Sequence, residues 1–261
     1  MIPRRRRSLL SEPPRTPILF IFAHHDDEFF IAATIREAAR RGEVRIAWLT
    51  SGGLHGARRR AESVQAARLL GVPAKSLLFL ALPDNHALDF LDDIVDRLAA
   101  LILRLRPAAI FVPAFEGGHL DHDTTQLAAA IALEKISGDA GQPVLYEFPL
   151  YHRPGPVLTV GKFLPAASPE SRTRLKLKDL LLKQKLVRVF ASQRLILFPL
   201  LALRGGPALL HLGGEPYRPV PAGRDFSKRP HAGRLAYEYY SRGKFDQFAR
   251  AAQTLGLNFK L

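Results

Sequence analysis

Two short polar runs hold most of the side chains able to do chemistry in this 261-residue chain. The first is His24-His25-Asp26-Asp27-Glu28, and the second is Glu116-Gly117-Gly118-His119-Leu120-Asp121-His122-Asp123. Crowded imidazoles and carboxylates repel one another or lose solvation unless something holds them. A divalent cation is the simplest such agent, since His nitrogen and carboxylate oxygen are both good zinc ligands. Two imidazoles and one carboxylate, drawn from a His-x-x-Asp in one run and a His-x-Asp-His in the other, would hold an ion and leave positions open for water and substrate. Each residue alone has a plainer role. Asp27 or Glu28 could complement a helix N-terminus, Asp121 and Asp123 could do the same for the next helix, and a histidine before a carboxylate is commonly a surface or capping residue. The plainer roles leave one thing unexplained: both runs directly follow apolar segments of the same kind.

Those segments place the runs. Ile18 to Phe22 is apolar without alternation, the pattern of a strand buried on both faces. Further strands are predicted at Val44–Thr50, Ser76–Leu80, Ala109–Val112 and Val144–Phe148. Helices are predicted between them: Phe29–Arg41 ended by Gly42, Ala57–Leu70 stopped by Gly71, Leu88–Leu105 before Pro107, and one from about Leu120 to Ile136. Within the third, Leu91, Ile94, Val95, Leu98, Leu101, Ile102 and Leu105 fall on one face. Such alternation gives right-handed βαβ crossovers and a parallel sheet. The predicted fold class is α/β: a Rossmann-like three-layer α/β/α sandwich with a mainly parallel sheet and a C-terminal capping extension. In such sheets ligands bind outside the carboxyl ends of the strands, where both polar runs would lie. The first βα loop carries acids in place of Gly-x-Gly-x-x-Gly, which argues against a nucleotide cofactor.

The chain reads as a basic arm over residues 1–16, with Arg4 to Arg7, followed by one domain over 17–261. Residues 17–150 form its core and 151–261 a substrate-shaping part. In the latter, Ser168-Pro169 has the form of an N-cap and first turn of a helix running to about Arg188. The composition is 47% hydrophobic, ample for one α/β core. With no cysteine, disulfides and thiolate metal sites are excluded and a reducing compartment is allowed; a cytoplasmic setting is expected. The formal net charge of +14 favours anionic partners, although the basic residues are spread over many segments. No secretory h-region follows the arm. The longest weakly charged stretch, Leu195 to Gly214, is too broken by Pro199, Arg204, Gly205, Gly206 and Pro207 for a transmembrane helix. Its apolar part, Leu195 to Leu201, is expected to be buried or to touch a membrane peripherally.

At this point the motifs resemble a known family. Ala23-His24-His25-Asp26-Asp27-Glu28 is similar to the Ala-His-Pro-Asp-Asp-Glu signature of the PIG-L/LmbE-like N-acetylglucosaminyl deacetylases, and His119-Leu120-Asp121-His122 resembles their His-x-Asp-His. Arg59-Arg60-Ala61-Glu62 matches an Arg-x-x-Glu, Asp84 an acidic position of the substrate pocket, and Ser192-Gln193 a Ser-Gln pair. The resemblance implies zinc, with Fe(II) as another fitting divalent metal, held by His24, Asp27 and His122. It implies Asp26 as general base, His119 as electrostatic stabiliser or acid, and Asp121 as orienter of His119 or of the water. Arg59, Glu62 and Asp84 would serve the substrate. The implied reaction removes the N-acetyl group from an N-acetylglucosamine-type conjugate that could carry an anionic group. One departure stands out: His25 replaces the family's Pro. It is expected to point away from the ion, with an extra ligand as the alternative. The rival functions are a non-haem iron oxygenase and a basic protein binding nucleic acid or membrane; the first is disfavoured by βα alternation, and the second leaves the acidic cluster without a purpose. The sequence does not specify the conjugate or the oligomeric state.

Overall fold

The structure is a computed structural model that describes residues 17–136, 142–166, 168–194, 214–239 and 244–254. The basic arm and Leu195–Leu201 lie outside the described residues. The central strand, β1 (Ile18–Phe22), is wholly buried, as its unbroken apolar run requires. Its side chains alternate between two cores. Leu19 and Ile21 join one, and Ile18, Phe20 and Phe22 the other.

Along the chain follow α1 (Ala32–Arg41), β2 (Val44–Thr50), α2 (Gly56–Leu70), β3 (Leu77–Leu82), α3 (Leu91–Leu105), β4 (Ala109–Pro113), α4 (Leu120–Lys135) and β5 (Val144–Phe148). A small hairpin pairs β6 (Tyr151–His152) with β7 (Thr159–Val160). Then come β8 (Ser171–Thr173), α5 (Leu177–Val189), β9 (Glu215–Pro219) and α6 (Lys244–Thr254). The main sheet has seven strands in the order β3-β2-β1-β4-β5-β9-β8. The first five are parallel, and β9 and β8 are antiparallel additions. One apolar core lies under α1, α2 and α5, and the other under α3, α4 and α6. This is the expected three-layer α/β/α sandwich. The chain winds from β1 towards β3 on one side and from β4 towards β5 on the other. The carboxyl ends of β1 and β4 therefore flank the point where strand order reverses, the crevice in which such sheets bind ligands.

Local expectations fare unevenly. Gly71 takes the left-handed cap position (φ +87°) that ends α2, whereas Gly42 is extended (φ −175°) and uses no special freedom of glycine. The helix expected from Ser168 begins only at Leu177, after Lys176 as N-cap, whose backbone N–H donates to the Asp179 carboxylate at 2.9 Å. Residues 171–173 instead pair with 215–217 at the sheet edge. That pairing joins segments far apart in sequence, and Glu215-Pro216-Tyr217-Arg218-Pro219 does not read as a strand because of its prolines. Glu215 fixes the arrangement from a fully buried position. Its carboxylate accepts from the backbone N–H groups of Ala33 and Thr34, at the start of α1, and pairs with buried Lys183 of α5 at 2.8 Å.

Candidate metal centre and catalytic cleft

The loop after β1 is built by Glu28. Its buried carboxylate accepts from the Asp26 backbone N–H (3.0 Å), Trp48 Nε1 (3.1 Å) and Ser63 Oγ (2.7 Å). Burial raises its pKa. These bonds hold Asp26 at φ +126°, a conformation that costs a non-glycine residue energy and persists only where the surroundings impose it. His25 turns outward from the cleft. Its ring stacks on Trp48, lies beside Phe79, and meets Ser63 Oγ at 3.2 Å. Burial and the nearby Arg59 lower its pKa to about 4. The side chain thus has a packing role at the position where the resembled signature has Pro.

The same turn brings His24 and Asp27 against His122 from the first turn of α4. His24 Nδ1 lies 3.1 Å from His122 Nε2, and Asp27 Oδ1 lies 3.2 Å from that same His122 atom. Ligand atoms of a tetrahedral ion with bonds of about 2.0–2.1 Å sit about 3.3 Å apart, so the spacing suits a common cation. The second His24 nitrogen, Nε2, faces Asp121 Oδ2 at 3.0 Å. The Asp121 carboxylate is itself pinned by the backbone N–H groups of Asn85 (2.7 Å) and Ala87 (3.1 Å). A carboxylate on Nε2 keeps the proton there and leaves Nδ1 with a lone pair towards the ligand cluster, the usual second support of a metal-bound histidine. Asp121 therefore orients His24. It contacts His119 only through its backbone N–H, which donates to His119 Nδ1 at 3.1 Å. That bond places the proton of neutral His119 on Nε2, and burial with the nearby His24 and His122 keeps the ring neutral by lowering its pKa well below the ordinary value.

The electrostatics favour a cation. Burial opposes charge on His24, yet the Asp121 hydrogen bond and the Asp27, Asp121 and Asp26 carboxylates raise its pKa to about 9, so without an ion the ring favours a second proton at Nδ1, the position whose lone pair a cation would take. Burial likewise opposes charge on Asp27, but His122 outweighs it and lowers the carboxyl to about 2. For Asp26, burial and the charge of Asp27 win over Arg59 and raise the pKa to about 8. Two adjacent carboxyls are thus driven apart, one held ionised and one ready to carry a proton.

A cleft of about 230 Å³ opens beside the cluster, lined by His24, Asp26, Asp27, His119, His122, Arg59, Asp84, Asn85, Phe30, Tyr151 and Gln193. Arg59 is largely engaged: it donates to the His25 carbonyl (2.8 Å), to Asp26 Oδ1 (3.3 Å) and to Asp84 Oδ2 (3.1 Å). Asp84 also accepts from the Gly52 backbone N–H at 2.8 Å. Both residues line the cleft and also set the position of Asp26. Glu62 lies outside the lining; it bonds Ser192, whose neighbour Gln193 reaches the cleft. Gly118 has no alternative, because a Cβ there would lie 2.0 Å from the Tyr151 carbonyl oxygen. Phe30, Asn85 and Tyr151 were not foreseen. Asn85 carries a local signal in Pro83-Asp84-Asn85, a breaker triplet at a strand end; Phe30 and Tyr151 carry none.

Residues 19–133 match the family model described as PIG-L: GlcNAc-PI de-N-acetylase, which contains both motifs. No curated protein matches the chain. Among solved structures, the zinc-inhibited form of a teicoplanin deacetylase is similar over 78% of this chain and 97% of its own, at 18% identity and TM-score 0.60. An N,N′-diacetylchitobiose deacetylase from Pyrococcus horikoshii is similar over 88% of each chain, at 20% identity and TM-score 0.53. A 4-carboxy-2-hydroxymuconate hydratase from Pseudomonas putida KT2440 is similar over 78% of this chain and 94% of its own, at 17% identity and TM-score 0.53. At such identities the shared property is the fold, and the family resemblance read from the motifs rests on the match over 19–133.

Proposed function

We propose that the protein is a metal-dependent N-deacetylase that hydrolyses the acetamide of an N-acetylated amino sugar conjugate. The observation that carries this reading is the convergence of His24, Asp27 and His122 at the β1/β4 crevice, with Asp26 and His119 on the wall of the same cleft. The family match over residues 19–133 and the two deacetylases of like fold support it. His24 Nδ1, Asp27 Oδ1 and His122 Nε2 would hold the ion; the donor set suits zinc and also Fe(II). A divalent cation there supplies polarisation of an amide carbonyl and acidification of a water.

The chain's own groups do the rest. Asp26 lines the cleft beside the ligand set, with its backbone held by Glu28 and its Oδ1 by Arg59. It takes the proton of the attacking water and, once protonated, can return it to the leaving amine. His119 donates from Nε2 to the oxyanion that forms on the acetamide. Asp121 holds the His24 tautomer. The products are acetate and a free amine on the sugar. Residues 17–261 would work as one domain. Residues 151–261 help shape the substrate end, as Tyr151 and Gln193 on the cleft wall suggest. Arg59 lines the cleft but is occupied by Asp26 and Asp84, so an anionic group on the conjugate would compete with those carboxylates for it.

The test is acetate release from a panel of N-acetylated amino sugars, including a glycolipid and a glycopeptide, before and after chelation and with metals added back singly. Release that stops with chelator and returns with zinc or Fe(II) supports the reading. Release indifferent to chelator and to His24→Ala refutes it.

A further inference from the structure

The positive charge appears scattered in sequence, but the fold gathers much of it on one layer. On α5, the buried stripe is Asp179, Leu182, Lys183 and Leu186. The opposite stripe exposes Lys178, Lys185 and Arg188, together with Leu177 (73% exposed) and Leu181 (50% exposed). Leu177, Leu181, Lys185 and Arg188 are spaced four, four and three residues apart and so form one continuous ridge. The acids of this layer are already neutralised. Asp179 meets Arg36, Glu37 meets Arg41, and Glu62 meets Arg58. The adjoining helix α2 exposes Arg60 and Arg68, and the turn leading into it carries a fully exposed Leu54. Across the sheet the first turns of α3 expose Asp92, Asp93 and Asp96, of which Asp93 pairs with Arg97 and Asp96 with Lys135. On α5 the two exposed leucines stand among lysines and an arginine on one ridge, whereas Leu103 (47% exposed) lies on α3, a helix that also carries exposed acids.

Two kinds of anionic partner fit basic charge, and the leucines choose between them. Nucleic-acid phosphates are met by Arg, Lys and polar groups, and single strands by aromatic rings; protruding aliphatic side chains add nothing there. An anionic bilayer uses both features: headgroups attract Lys and Arg, and the acyl boundary takes up Leu. We propose that the outer face of α5, with the adjoining end of α2, docks the protein peripherally on an anionic lipid surface. The face adjoins the cleft. Arg59 of α2 and Gln193, just beyond the end of α5, both line it. Docking would therefore bring the cleft close to the headgroup layer. This surface stands on its own residues and does not depend on the deacetylase reading, because binding is measured without turnover.

The experiment is co-sedimentation of the full chain with sucrose-loaded vesicles of phosphatidylcholine alone, and of phosphatidylcholine containing about a third phosphatidylserine, at low and high salt. Duplex DNA retardation runs in parallel. The wild type should bind only the anionic vesicles, and less tightly as salt rises. The double variant Leu177→Ser/Leu181→Ser keeps every charge and the Arg4–Arg7 arm. It should weaken vesicle binding by roughly tenfold or more. The triple variant Lys178→Glu/Lys185→Glu/Arg188→Glu should weaken it by at least roughly 10²-fold. These side chains are exposed, so both variants should retain the wild-type circular dichroism spectrum. The proposal is overturned if anionic vesicles bind no better than neutral ones, or if binding is blind to the leucine pair while DNA binding persists. It is equally overturned if the leucine pair instead controls a dimer seen by sedimentation equilibrium in a chain that ignores vesicles.

Discussion

Replacing Asp26 by Asn tests the proposed chemistry most sharply, because the structure separates its two consequences. The amide keeps the carboxylate's shape. Its oxygen can still accept from Arg59, now 3.3 Å from Oδ1, and the strained backbone is held by Glu28, which the change does not touch. What is lost is the ability to take a proton. Asp26 makes none of the contacts within the His24, Asp27 and His122 cluster, so metal content should stay near the wild-type level. A positioned general base contributes roughly 10²–10⁴-fold, so kcat should fall by that factor, about 2.7–5.4 kcal/mol of barrier. The sign with pH follows from the same role. The base works deprotonated, so wild-type activity should rise with pH through its titration, and that acidic limb should vanish in Asp26→Asn. His119→Ala should also keep its metal and lose rate, but retain the acidic limb. Acetate-release kinetics over pH, beside metal analysis of the same samples, make the measurement. If Asp26→Asn turns over at the wild-type rate with its limb intact, Asp26 is not the base. Glu28 and Asp121 could not replace it: the first is sealed under Trp48 and Ser63, and the second is committed to His24, Asn85 and Ala87. Asp84 would then be the carboxylate to examine.

Three further outcomes are expected. Asp27→Asn and His122→Ala should purify without metal and lose activity, with partial recovery in excess zinc; full metal content in either variant would break the ligand assignment. Asp121→Asn removes the charged acceptor on His24 Nε2 and should weaken metal affinity by about 10–100-fold, read by competition with a chromogenic chelator. An unchanged affinity would mean that the His24 tautomer needs no support. Gly118→Ala forces a methyl onto the Tyr151 carbonyl and should destabilise the fold by at least about 2 kcal/mol in urea unfolding, a loss absent from Gly155→Ala, where a Cβ meets nothing within 4 Å.

The primary structure determined the parts of this protein that depend on local order. Unalternated apolar runs fix β1 and β4 as buried strands, since a strand covered on both faces has no polar side to show. Intervening amphipathic segments then impose crossovers and a parallel sheet, and a parallel sheet puts the ends of β1 and β4 on one edge. The meeting of the two polar runs follows from that chain of reasoning without any distance being known; that His122 and not His119 joins His24 and Asp27 is what the motif resemblance implies. Tertiary structure decided what depends on partners remote in sequence. Asp121 faces His24 across 97 positions, Arg59 reaches back to Asp26 and on to Asp84, and Glu215 closes the start of α1 from 182 positions away. No periodicity records such pairings, because one carboxylate's sequence neighbourhood looks like another's until the fold chooses its donor. The same holds for charge. Lysines and arginines dispersed through the chain become one basic, leucine-bearing face only because α2 and α5 pack on the same side of the sheet, driven there by the leucines and alanines on their inner faces.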